Sequence, residues 1–160
     1  MKTLFTGIKA LLFMSGVVLL WFWIASSVRP FDRRFGLVLP AWAPMIGMIF
    51  VAAGASLALV CVAFFVVRGG GTPAPFDAPT KFVATGPYKH VRNPMYIGGM
   101  GGLIGFGLYQ RSASILVFAL AWFLLAHLFV VGYEEPTLRR KFKDSYEDYC
   151  RAVPRWMPRQ

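Results

Sequence analysis

The chain has 160 residues, 57% of them hydrophobic, and a formal net charge of +10, with a mean hydropathy of +0.56. An ordinary soluble domain is about 45 to 50% apolar, so the composition excludes a water-soluble globular protein and implies a single compact domain, residues 1–160, embedded in a membrane. The basic residues fall by loop rather than on one face, which excludes nucleic acid as the partner and points to membrane topology.

Hydrocarbon requires about 20 apolar residues per helical crossing. The first such run is Ile8 to Ser26, preceded by Lys2 and Lys9. Its basic start and its small-residue exit at Ala25, Ser26 and Ser27 resemble a secretory signal peptide. Its full crossing length and the Trp21-Phe22-Trp23 belt favour a retained helix. The second run is Trp42 to Val67, with Pro40 and Pro44 bracketing its start. Arg68 to Pro79, with three glycines and three prolines, reads as a loop.

A short segment between Pro87 and Pro94 leads into a third, glycine-rich run, Pro94 to Tyr109. Gly98, Gly102 and Gly105 share one face, which suits close packing against Ala52, Gly54, Ala55 and Ala58. The same bare backbone would also leave room for a ligand beside Tyr96. The fourth run, Ser114 to Gly132, carries His127 near its middle, where a neutral imidazole bonded to a neighbouring segment is the expected solution. In the tail, residues 133–160, Leu138, Phe142, Tyr146, Tyr149 and Val153 recur at helical spacing among basic residues, predicting an amphipathic helix that Pro154 ends. No segment carries a convincing strand signal. The expected class is all-α: a polytopic membrane protein with transmembrane helices at about 8–26, 42–67, 94–109 and 114–132, followed by a C-terminal cytoplasmic amphipathic helix.

Of the 17 basic residues, thirteen lie at the N-terminus, between the second and third runs, or in the tail. The remaining four, Arg29, Arg33, Arg34 and Arg111, lie on the opposite side. Positive-inside logic places both termini in the cytoplasm of a cell whose inner membrane, expected to be bacterial, holds the chain. Cys61, Cys150, His90 and His127 offer no metal-ligand spacing, so no metal site is expected.

Two polar motifs flank the third and fourth runs: ATGPYKHVRNPMYIG and YEEPTLRRKFKDSYEDYCRAVPRWMP. Taken alone, Glu134 and Glu135 read as a helix cap balancing Arg139 and Arg140, and Tyr88 and Tyr96 as interfacial anchors. Together the motifs resemble the membrane-embedded methyltransferases that include the isoprenylcysteine carboxyl methyltransferases and the phosphatidylethanolamine N-methyltransferases. The likeness covers about residues 80–158.

The resemblance implies S-adenosylmethionine as cofactor, with contacts from Lys81, Phe82, Val83, Tyr88, Asn93, Pro94, Tyr96 and Glu134. Side-chain chemistry adds Glu135 and Arg155 as catalytic groups on the acceptor side. Asn93 stands where the family has histidine, and Val130 stands where the eukaryotic carboxyl methyltransferases carry a substrate arginine, which argues against a prenylcysteine carboxylate. The implied function is methyl transfer at the cytoplasmic membrane face to a lipophilic acceptor with a carboxylate, thiol or amine head, reached from the bilayer. The alternatives are a non-catalytic membrane scaffold or transport subunit and an NADPH-dependent sterol-type reductase, whose tails also carry Tyr-x-x-Tyr-Cys and Val-Pro-Arg.

Overall fold

A computed structural model describes residues 2–36, 39–69 and 83–158, and every regular element among them is helical. Helix α1 spans Lys2–Ser27, followed by a 3-10 turn at Arg29–Phe31 and the single turn α2, Asp32–Phe35. Helix α3 spans Ala43–Phe64 and ends in a π-turn, Phe65–Gly69. A 3-10 turn at Gly86–Lys89 precedes α4, Pro94–Tyr109. Helix α5, Ala113–Phe129, passes through a second π-turn, Val130–Glu134, into α6, Glu135–Ala152.

Uninterrupted helices are what apolar surroundings demand, because each backbone N–H and C=O must then be satisfied within its own segment. Pro44 and Pro94 stand in the first turns of α3 and α4, where proline lacks only a donor that would be idle anyway. Among the described residues three helical runs are long and apolar enough to cross a membrane: Leu4–Arg34, Ala43–Gly69 and Ala113–Ala152. Helix α4, the third of the four expected crossings, is not among them. Its 16 residues extend about 24 Å at 1.5 Å each, short of the roughly 30 Å of hydrocarbon.

Helix α4 is laid along α3. A Cβ on Gly54 would meet the Gly98 carbonyl oxygen at 2.5 Å, and one on Gly105 would meet that of Gly47 at 2.6 Å. The two backbones therefore touch at both ends of an antiparallel pair, as expected of small-residue helix packing. Gly102 is buried in the same stripe, its amide nitrogen 2.8 Å from a Cβ on Gly54, although a Cβ of its own would meet nothing within 4 Å. Gly99 lines the same cavity as Tyr96, and a Cβ added there would lie 3.1 Å from the Trp122 ring.

At one end of the bundle, polar groups close the connections. Ser114 N–H donates to Asp32 Oδ1 at 2.8 Å, Ile115 N–H to Ser112 Oγ at 3.2 Å, and Arg111 Nε to the Leu39 carbonyl at 2.9 Å. Ala25, Leu103, Ile115 and Ala119 form a buried core near this end. A second core of Cys61, Val83 and Tyr88 lies toward the other. The tail helix departs from its expected continuous form: Lys143 has φ 46° and ψ −125°, so α6 is broken into two segments there. Most of the expected loop, residues 70–79, lies outside the described residues, while Arg68 and Gly69 extend the second helical run.

Candidate active site

At the end of the bundle away from Asp32, a cavity of about 570 Å³ opens among α1, α4, α5, both π-turns and α6. The turn before α4 supplies Tyr88, Arg92 and Asn93, and the first turn of α4 supplies Tyr96. The second π-turn and the start of α6 supply Glu134 and Glu135, and the second segment of α6 supplies Tyr146 and Tyr149. The apolar flank includes Val17, Trp21, Leu103, Trp122 and Phe129. The two polar motifs, separated in sequence by α4 and α5, thus converge on one space.

The adjacent glutamates have unlike surroundings. Glu135 is 5% exposed, and Arg155 grips it through Nε at 2.7 Å and Nη2 at 3.0 Å. Arg92 adds a third bond, Nη1 to Oε1 at 3.0 Å. A paired guanidinium–carboxylate fork is the geometry in which a buried charge is tolerated. Glu134 Oε2 accepts from the Tyr96 hydroxyl at 2.9 Å. Among the described residues no basic side chain lies in ion-pair range of Glu134.

The segment after α6 closes this end of the molecule. Arg92 N–H donates to the Pro154 carbonyl at 2.9 Å and Asn93 Nδ2 to the Arg155 carbonyl at 3.2 Å. Tyr149 donates its hydroxyl to the Tyr88 carbonyl at 2.7 Å. Arg92 Nη1 also donates to Cys150 Sγ at 3.0 Å. Burial pushes the Tyr88 phenol far above its ordinary range, so it is a neutral wall group. The bond to Glu135 holds the Arg155 guanidinium above its ordinary value.

The phospholipid methyltransferase family model (PEMT) matches residues 42–145, from the start of α3 into α6. The chain belongs to this family. Over 80 residues it is 32% identical to the nickel-cobalt-cadmium resistance protein NccN of Alcaligenes xylosoxydans xylosoxydans, an overlap covering 50% of this chain and 37% of that protein. Over 142 residues it is 25% identical to the cobalt-zinc-cadmium resistance protein CzcN of Cupriavidus metallidurans, covering 89% of this chain and 61% of that one. The chain spans less than two thirds of the length of either relative.

Of the residues expected to contact a cofactor in this family, Val83, Tyr88, Asn93, Tyr96 and Glu134 line this cavity. Pro94 is fully buried where α4 begins and sets the turn rather than the wall. Lys81 and Phe82 lie outside the described residues. Glu135 lines the cavity, while Arg155 reaches it through Glu135. Sequence reasoning missed Trp122 and the α1 side chains, which carry no motif, and Trp156, whose only signal was its place after Pro154. Among the described residues no three His, Cys, Asp or Glu side chains converge as a metal-ligand set.

Proposed function

We propose that this chain transfers a methyl group from S-adenosylmethionine to a lipophilic acceptor held at the cytoplasmic membrane face. The observation that carries the reading is Glu134: a carboxylate on the cavity wall, hydrogen-bonded to Tyr96, with no cationic partner among the described residues. Withdrawing a carboxylate from water without a counter-charge is costly, and a cationic ligand group offsets that cost. The cavity also has the size usual for cofactor sites. When bound, the cofactor supplies an electrophilic methyl group together with an ammonium and a carboxylate for the protein to grip.

In this reading Glu134 receives the ammonium and Tyr96 fixes the carboxylate's direction. Val83, Tyr88 and Asn93 form the wall, and Lys81 and Phe82 remain proposed contacts of the same cofactor. Pro94 sets the backbone that presents Asn93 and Tyr96. Glu135 and Arg155, expected as catalytic groups, are given the acceptor side, where the fork holds Glu135 at the cavity and Arg155 orients an anionic head.

A carboxylate or thiolate acceptor needs no general base, and positioning alone supplies as much as about 7 to 11 kcal/mol. An amine acceptor must lose a proton. The oxygens of Glu135 are already taken up by two guanidiniums, which makes it a poor recipient and favours the anionic heads. The apolar flank between α1 and α5 suits the acceptor's hydrocarbon portion. For topology, we take α1, α3, α4 and α5 as four crossings, with α4 carried across by its contact with α3, and both termini cytoplasmic.

Calorimetric titration of the purified protein tests the reading. Saturable S-adenosylmethionine binding, weakened about tenfold or more in Glu134→Gln, is the expected result, as for loss of a charge-assisted bond. Equal affinity in the variant would return Glu134 to a helix-cap role. Binding of NADPH instead would indicate a reductase, and binding of neither a scaffold. Incubation with methyl-labelled cofactor and a membrane extract identifies the acceptor, and label confined to water-soluble products would defeat the lipid assignment.

The names of both relatives give a physiological expectation: loss of this chain lowers growth in cobalt or cadmium. The effect is proposed to run through the methylated acceptor. Unchanged growth in either metal would detach this chain from its relatives' role.

A further inference from the structure

His127 lies in α5, well inside an apolar run, and its partner comes from the far end of the chain. Trp156 donates its indole N–H to His127 Nδ1 at 3.0 Å. The Trp156 ring packs against Phe123 with centroids 4.9 Å apart, and stands edge-on to Tyr96 at 6.3 Å and 80°. Trp122 flanks the Tyr96 ring, also at 6.3 Å. Tyr96 in turn donates to Glu134. One line of contacts therefore runs from His127 through Trp156 and Tyr96 to the cavity carboxylate.

An imidazole within a membrane helix is costly unless its nitrogens are engaged, and a buried indole N–H has the same need. A single bond engages the indole N–H and one imidazole nitrogen, Nδ1, and also fixes the rotation of the indole. Edge-on packing against Phe123 orients the ring less sharply than a hydrogen bond does. With the indole fixed, the Tyr96 ring packs against two tryptophans and its hydroxyl is held on Glu134.

We propose that His127 is a positioning residue for the site: it orients Trp156, Trp156 packs against Tyr96, and Tyr96 aims Glu134 into the cavity. The functional consequence rests on Glu134 facing the cofactor ammonium, whereas the relay itself can be measured without cofactor. Protein labelled with ¹³C at the tyrosine ring carbon bearing the hydroxyl, held in lipid nanodiscs, reports the Tyr96 hydrogen bond, and Tyr96→Phe assigns the signal. His127→Leu and Trp156→Phe should each move that signal in the direction that Glu134→Gln moves it, and His127→Gln, which keeps an acceptor, should largely restore it. A Tyr96 signal unmoved by both His127→Leu and Trp156→Phe overturns the relay.

Affinity for S-adenosylmethionine gives the second readout. His127→Leu should weaken binding about fivefold, the worth of one hydrogen bond, and should have no further effect in a Tyr96→Phe background. Equal losses in both backgrounds would reduce His127 to an anchor for the tail and overturn the proposal. If the unaltered protein binds no S-adenosylmethionine while the Tyr96 signal still answers to His127, the cofactor reading falls and the relay stands.

Discussion

Glu134 and Glu135 are neighbours in sequence and opposites in environment, since one is held by two guanidiniums and the other by a phenol. Removing charge from each should therefore have different effects. Glu135→Gln leaves Arg92 and Arg155 without their shared anion and should destabilise the fold by about 3 kcal/mol, read as a fall in the unfolding midpoint in detergent or nanodiscs. Glu134→Gln should leave that midpoint near its original value while weakening the cofactor. Equal falls would mean that both carboxylates are structural. The acidic pair was legible as a motif. Its division of labour was not, because the partners lie 43 positions before and 20 positions after Glu135, and only folding reveals which carboxylate they reach.

Contact between α3 and α4 is backbone against backbone, so small changes in side-chain size decide whether it forms. Gly54→Ala places a methyl group 2.5 Å from the Gly98 carbonyl oxygen and should destabilise by at least the roughly 1 to 3 kcal/mol typical of overpacking. Gly102→Ala meets nothing within 4 Å and should be neutral or stabilising by up to about 1 kcal/mol, since alanine restricts the unfolded chain. Chemical unfolding of the two variants side by side checks the pair. If both lose stability equally, the helices do not approach at Gly54. Helix starts at Pro44 and Pro94 could be read from the prolines, and the packing stripe from glycine spacing. The two π-turns could not, because the same apolar residues serve α and π geometry equally well, and tertiary contacts choose between them. The break at Lys143 was equally hidden, since lysine is an ordinary helix former and nothing local marks it.

For the molecule as a whole, the uneven placement of basic residues gives an orientation to test. Cys150, half-buried beside Arg92, should react with a membrane-impermeant thiol reagent only after the membrane is opened, while Cys61, fully buried in α3, should stay unreactive in the folded protein. Labelling of Cys150 in intact cells would turn the site to the outer face. Composition and charge made the membrane character legible, but the cavity owes much of its wall to α1, whose apolar run looks from sequence like any other crossing. The second π-turn carries a consequence of another kind. A π-turn holds one residue more than the α-turn it replaces, so the register of everything after it depends on a single insertion. Gly132 is exposed and has nothing close to where a side chain would be. Deleting it should let Val130–Glu134 relax into ordinary helix and turn both glutamates by about 100° about the axis. The shortened protein should keep its helical content by circular dichroism and lose the S-adenosylmethionine affinity proposed above: a chain one residue short of 160 would be the better helix and the poorer binding site, and gaps in this stretch would be selected against where substitutions are not.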